Sequence, residues 1–415
     1  MIESSMYRRL AVCYAALTVL VLFGFPKAGI YLGNIPLTFS YVLVGIAAVF
    51  ELVCLTRHPS RKLHTRYAWL GVLIGLLALL EIASFRIYGM RSVGAAVSVL
   101  VSTIAMPILA ILMTHWVLRI LGIEGLLRFL KWAMVPVFAF GFVSFLVYNA
   151  TGTVLGIPFI TTTGSDITTV ATRHNLRGPV IKMFSTYNNG NILGINLLMW
   201  GPLVAIGSFR GSMAYRSLCV ATLSRSVWAG LVLLELIKAM SERSYRRVFQ
   251  AACGMVFLLA VVIVASYVIG RDPQSFLLDK DLGGRVTNLQ NDLEVISSVR
   301  IGWDSESVPA AAWLAFGPAG VVLMAIVWLF PVLTGGNTKV QITARISMLV
   351  YLIVAVVEGA FILVPTQAIY WFIASLAMAA PEITLLEEPA SETEEQQPER
   401  TDLDSVEPPQ YAPSL

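Results

Sequence analysis

Apolar positions in this chain come in long unbroken runs separated by short polar connections. The alternation of a half-buried strand is not seen. Runs of about 17–25 residues cross a bilayer as a helix. Such runs fall at roughly 10–25, 37–55, 67–83, 93–118, 132–149, 191–208, 249–269, 307–330, 342–364 and 366–380. The pattern predicts an all-α polytopic integral membrane protein of about 10–12 transmembrane helices. Residues 1–380 form its helical bundle, with longer loops at about 150–190 and 271–306.

The stretch 217–240, "SLCVATLSRSVWAGLVLLELIKAM", breaks the pattern with Arg225 and Glu235 inside an apolar run. Only about eight residues precede Arg225, which is short for a span at about 1.5 Å rise per residue. A broken or re-entrant hairpin with "SRS" near its outward tip fits that length, because irregular backbone at membrane depth is tolerated where protein buries it. The alternative is one tilted crossing whose arginine reaches an interface.

Composition agrees with the pattern. The 415 residues are 57% hydrophobic and 13% charged, against about 25% charged in soluble domains. Mean hydropathy is +0.76. The net charge of +4 matters less than its placement. Arg8 and Arg9 precede the first run, and Arg57, Arg61, Lys62 and Arg66 fill the connection at 56–66 without an acid. Arg119, Arg128 and Lys131 mark a further basic connection, and Arg210 and Arg216 another. Lysine and arginine collect on the cytoplasmic side of short loops, so the two long loops are expected outside, with Arg86 and Arg91 a mild violation. The first run lacks a small-residue cleavage site and reads as an uncleaved span. From Pro381 onward the chain has ten acids against Arg400 alone. A segment of that composition buries too little apolar surface to fold, so 381–415 is expected to be a disordered acidic cytoplasmic tail. Cys13, Cys54, Cys219 and Cys253 lie in or beside apolar runs and read as small hydrophobes.

Candidate chemistry sits in the loops and in the charges within spans. Arg173, His174, Arg177 and Lys182 form a basic cluster leading into "YNNGN", which holds Asn189 and Asn191. Guanidinium forks beside amides suit an anionic, hydroxyl-rich ligand, although contact with lipid headgroups would account for the same charges. The second loop holds Arg285 and Arg300, with Asp304 and Glu306 just before the next run. "DKD" at Asp279–Asp281 is too short a pattern to carry a metal site without an accompanying nucleotide-binding domain. Glu51, Glu81, His115, Glu235 and Glu358 lie in or near apolar runs, where ionisable groups face the bundle interior or a wet cavity. Glu358 is the most deeply placed of these by sequence.

The order "RGPV…FSTYNNGNILG", then "TLSRSVWAG", then a polar loop ending "WDSESVPAAAWLAFGPAG", resembles the O-antigen polymerase and O-antigen ligase superfamily of bacterial inner-membrane glycan enzymes. Asn189, Gly190 and Asn191 take the place of its Asn-Pro-Asn element, Thr222, Ser224 and Arg225 that of its Ser-Arg element, and Phe316, Gly317 and Gly320 that of its terminal "fG..G". The similarity covers roughly 170–330. Ligases of the family carry a histidine shortly before the last element. Here Glu306 stands near that place and no histidine follows His174.

The resemblance implies a polysaccharide polymerase that transfers a growing glycan from polyprenyl diphosphate to an incoming lipid-linked repeat unit at the periplasmic face. Ligation of finished polymer, or a lipid-linked glycan flippase or other transporter, are the alternatives. In the polymerase reading Arg225 contacts the diphosphate, assisted by Arg177 or Arg173, with Ser224 beside it. Arg285 serves the second lipid-linked substrate, Asn189 and Asn191 orient sugar hydroxyls or loop backbone, and Asp304 or Glu306 is the general base. The expected partners are the glycan lipids, membrane lipid and a protein that sets chain length. No cofactor, metal or nucleic acid is expected.

Overall fold

A computed structural model describes residues 2–32, 35–57, 65–88, 93–163, 175–177, 180–241, 243, 307–358 and 364–379, with isolated positions between 249 and 290. The expected acidic tail and most of the second long loop lie outside the described residues.

The described chain is helical, as its apolar runs require. α1 spans Ile2–Val19 and continues as a π turn over Leu20–Gly24; α2 is Phe39–Arg57 and α3 Thr65–Tyr88. α4, Val93–Leu100, passes through a π turn at Val101–Ala105 into α5, Met106–Thr151. Then follow α6 (Gly190–Val204), α7 (Phe209–Ala221), α8 (Arg225–Ser241), α9 (Val308–Thr334), α10 (Lys339–Ala355) and α11 (Val364–Met378). Two small antiparallel hairpins were not anticipated. β1 (Gly29–Leu32) pairs with β2 (Ile35–Thr38), Gly29 opposite Thr38, and β3 (Leu176–Arg177) pairs with β4 (Val180–Ile181), Leu176 opposite Ile181.

Among the described residues five helical stretches are long and apolar enough to cross a membrane: Met6–Gly24, Phe39–Arg57, Thr65–Ile87, Val97–Thr151 and Phe316–Thr334. The fourth counts once but is two arms. Gly122, at φ 65° and ψ 177°, breaks α5 where the sequence predicted the end of one run and a basic connection to the next. Tyr14 packs on Trp116 before the break, and Gly24 lies against Ala133 and Pro136 after it. The ten residues from Tyr14 to Gly24, across α1 and its π turn, cover at most about 15 Å, whereas seventeen of straight helix would cover about 25 Å, so the arms bend toward one another.

Burial divides the helices into two kinds. On α11 every described side chain from Pro365 to Met378 is buried, and on α6 all from Ile192 to Val204. α2, α3 and the second arm of α5 instead expose large apolar residues, among them Phe50, Leu52, Trp69, Leu79, Trp132 and Phe142. A helix apolar on its outer face is at home against lipid, and helices buried on all sides form the bundle's axis. Glycine lets the axis pack closely. A Cβ on Gly194 would stand 2.4 Å from Val227, one on Gly201 2.8 Å from Tyr215, and one on Gly230 2.5 Å from Leu198. Small residues at such positions bring α6, α7 and α8 to backbone contact.

Candidate functional site

The stretch 217–240 is neither a single helix nor a hairpin confined to those residues. α7 begins earlier, at Phe209, and stops at Ala221; Thr222, Leu223 and Ser224 turn the chain, and α8 begins on Arg225. The two helices run antiparallel. Trp228 Nε1 donates to the Val220 carbonyl at 3.0 Å near the turn. Further along, Tyr215 and Arg216 both donate to Glu235 Oε1, at 3.0 Å from the phenol and 2.7 Å from the guanidinium. Glu235 thus clamps the open end of the hairpin.

The turn is held against the first long loop. Met183 N donates to the Ala221 carbonyl at 3.0 Å, and Lys182 N to that of Asn175 at 2.7 Å. Lys182 is buried at 2% exposure and its Nζ donates to Asn191 Oδ1 at 2.8 Å. Asn189 caps α6: its Oδ1 accepts from the backbone N–H of Asn191 at 2.8 Å and of Ile192 at 3.3 Å. An asparagine in this place satisfies donors that a helix start leaves open. Asn175 completes the arrangement, its Oδ1 taking Gly190 N at 2.9 Å and its Nδ2 donating to the Asn188 carbonyl at 3.0 Å. One turn deeper, Asn196 Nδ2 donates to Thr366 Oγ1 at 3.0 Å, which carries polar contact from α6 into α11.

Glu358 comes to the same place from the other side. The sequence put it inside a run over 342–364, but α10 ends at Ala355, so Glu358 stands in the connection beyond it, still buried. An apolar stretch around "VAVVEGAF" hid the helix end there. Ser226 donates to Glu358 Oε2, and Ser224 and Ser226 share a hydrogen bond at 2.9 Å. Arg225, half-buried between the two serines, is also engaged in a polar or electrostatic contact. Ser307, the first described residue after the second long loop, donates to the Val356 carbonyl at 3.0 Å.

Four of the described helices begin at this end. Asn196 meets Thr366, while Trp200 and Phe372 both pack on Phe23, so α6 and α11 run parallel. α8 lies antiparallel to α10, with Gly230 at Val354 and Ser226 at Glu358, and α9 starts where α10 ends. The starts of α6, α8, α9 and α11 thus gather here, and helix N-termini attract anions. The backbone is also unusual at this end. Ser185, Asn188 and Leu223 have φ of 49°, 60° and 50°. A left-handed leucine is an outlier that packing must hold, and such strain concentrates at functional sites.

Comparison with protein-family models, curated proteins and solved structures returned no match.

Arg225, Ser224, Asn189 and Asn191 therefore lie at one end of the bundle. Of Arg177 the structure describes the backbone, in β3; Arg173, Arg285, Asp304 and Glu306 lie outside the described residues. Among the described residues no three His, Cys, Asp or Glu side chains gather as a metal site. Phe316, Gly317 and Gly320 form a corner in α9. Gly317 has φ 71°, and a Cβ on Gly320 would stand 1.9 Å from Phe316 Cβ, so both glycines are required. Sequence reasoning missed Asn175 and Ser226. A polar residue on each side of Arg225 was the available signal for Ser226, whereas nothing in the sequence marked Asn175 as buried.

Proposed function

We propose that the chain is a bacterial inner-membrane glycan polymerase working on lipid diphosphate-linked substrates at the outer face. The observation that supports this most is the meeting of "SRS" with Glu358 where four helices begin, beside buried Lys182. The reaction needs an anion site and a proton acceptor a few ångströms apart. The acceptor sugar's hydroxyl oxygen bonds to the anomeric carbon of the donor, the bond from that carbon to the diphosphate oxygen breaks, and the diphosphate leaves with the electron pair. The hydroxyl proton passes to a carboxylate.

In this reading Arg225 and the helix N-termini stabilise the charge that grows on the diphosphate. Such preorganised groups act on the transition state more than on the ground state. Asp304 and Glu306 remain the bases that the family resemblance offers, and Glu358 joins them on geometry. A buried carboxylate bonded to a serine hydroxyl is suited to hand a proton along. Asn189 orients backbone at the start of α6, and Asn191, held by Lys182, is the amide closer to a sugar-binding role.

The test is the glycan profile of cells carrying Arg225→Ala, with the protein quantified in the same membranes. The expected outcome is loss of long polymer with a single-unit band retained, from a rate lower by about 10²–10³. Unchanged polymer would remove Arg225 from the site. Loss of every glycan band at normal protein level would point to transport. Arg225→Lys keeps the charge but not the two-pronged fork, and should recover only part of the polymer.

A further inference from the structure

A second buried carboxyl lies away from this site and, among the described residues, has no cation beside it. Glu81 on α3 is 1% exposed, about 10 Å from the end of its helix. Its Oε2 lies 3.1 Å from Thr103 Oγ1, in the π turn that joins α4 to α5. Its Oε1 is buried and makes no hydrogen bond.

The hydrogens at this contact can be counted. Thr103 also bonds to the Val99 carbonyl, at 2.7 Å, and a carbonyl can only accept. The single hydroxyl hydrogen of Thr103 is therefore directed to Val99, the shorter contact. What remains on Thr103 Oγ1 toward Glu81 is a lone pair. Two oxygens 3.1 Å apart, each offering only lone pairs, would repel; a proton on Glu81 turns the contact into a donor–acceptor bond.

Charge leads to the same conclusion. The elements packed most closely on α3 are α9 and the π turn, and neither Val308–Thr334 nor Val93–Ala105 contains a titratable side chain. On α3 itself the ionisable neighbours are Arg86, which is exposed, Tyr88, and Arg66 and Tyr67 at the opposite end. Tyr67, which meets His115 and Ser375, is fourteen residues or about 21 Å from Glu81. An ionised carboxylate without a cation in such surroundings is far more costly than a neutral acid.

We propose that Glu81 and Thr103 form a proton-binding site, in which Glu81 is a carboxylic acid that donates to Thr103. Holding the proton keeps α3 packed on the π turn. Releasing it leaves a bare charge there, so proton occupancy is coupled to the contact between α3 and the start of α5. π turns inside helices recur at functional positions because they free the local backbone from the regular ladder.

The test is an infrared difference spectrum between the full-length protein and Glu81→Gln, both in lipid at neutral pH. The expected result is the loss of one protonated-acid carbonyl band in the variant. Thr103→Val, which leaves the acid in place but removes its acceptor, should shift the same band and keeps the test open if Glu81→Gln does not accumulate. Loss of a pair of carboxylate bands in place of the acid band would overturn the proposal. A carboxyl band that appears only when sodium is removed at constant pH would also overturn it, by making a monovalent cation the occupant.

Discussion

Glu51 and Glu358 are both buried acids that a sequence scan finds in or near apolar runs, yet their surroundings differ in kind. Glu51 is fully buried on α2, and its Oε1 accepts from His115 Nδ1 at 2.5 Å and from Arg119. Its partners sit four residues apart on the first arm of α5, so regular helix fixes all the groups. Tyr67 closes the cluster, its ring edge-on to His115 at 6.4 Å and its hydroxyl donating to the Ser375 carbonyl. Glu358 instead lies beyond the end of α10, bonded to a serine at the start of α8, near a turn with a left-handed leucine. The first cluster joins two helices by neutralising a charge. The second places its polar groups on helix ends, where they can turn toward a ligand.

The largest effect is expected where the comparison is broken on its structural side. Glu51→Ala leaves Arg119 without its carboxylate inside the bundle. Removing one member of a buried pair costs about 3–5 kcal/mol. The protein should largely disappear from the membrane fraction, and any glycan with it. Replacing both Glu51 and Arg119 by methionine should restore much of the protein, since a buried pair exchanged for apolar packing is often neutral. Recovery of the protein by the double variant is the decisive reading. If the single variant accumulates normally, the cluster is not a strut.

Glu358→Gln probes the other side. The amide keeps the volume and can still accept from Ser226, so protein level should hold. Under the proposed function, loss of a proton acceptor lowers turnover by about 10²-fold or more, read as an accumulating single-unit glycan at normal protein level. Undiminished polymer would return the base to Asp304 or Glu306.

How far the sequence foretold these two places follows from what each depends on. Helix positions were legible because apolar runs are local; α2, α3, α6, α9 and α11 lie within a few residues of the runs drawn for them. The fold-back at "TLS" was expected where it occurs, but the length argument behind it fell short: the helix before the turn begins at Phe209, well before the eight residues counted ahead of Arg225. The pairings were not. Glu51 and Arg119 are 68 residues apart, and Ser226 and Glu358 132 apart, and no local pattern encodes contact over such distances. Asn189 was expected to orient sugar hydroxyls or loop backbone; the structure shows it capping α6, and that cap depends on an extended backbone with φ −149° that the letters "NNGN" do not fix. The β1–β2 hairpin was missed because "GIYLGNIPLT" is apolar enough to merge with the runs on either side.

Asn189→Ala comes next in size. It removes the cap of α6 and should cost about 1 kcal/mol. Because α6 lies on the bundle axis, that loss should appear as a lower unfolding temperature of the purified protein. If Asn189 serves only the backbone, polymer length should stay near normal, and Asn189→Ser, which caps equally well, should restore the temperature. A polymer defect in Asn189→Ser at full stability would instead give the asparagine a direct role in binding sugar.

The smallest effect is expected at Glu235, and it sharpens the contrast between pairing and burial. Glu235 accepts from Tyr215 and Arg216 as closely as Glu51 accepts from His115, give or take a few tenths of an ångström. Its side chain is 25% exposed and that of Arg216 42%, against 0% for Glu51. Water already solvates the Glu235 carboxylate and the Arg216 guanidinium, so little desolvation is repaid and that ion pair is worth under about 1 kcal/mol. Glu235→Gln keeps an acceptor for Tyr215 and should leave protein level, unfolding temperature and polymer within error of the parent, whereas Glu51→Ala does not. A large loss at Glu235 would mean that the α7–α8 hairpin, and with it the placing of Arg225, depends on that clamp. The line between strut and site would then run through the hairpin and not between the two ends of the bundle.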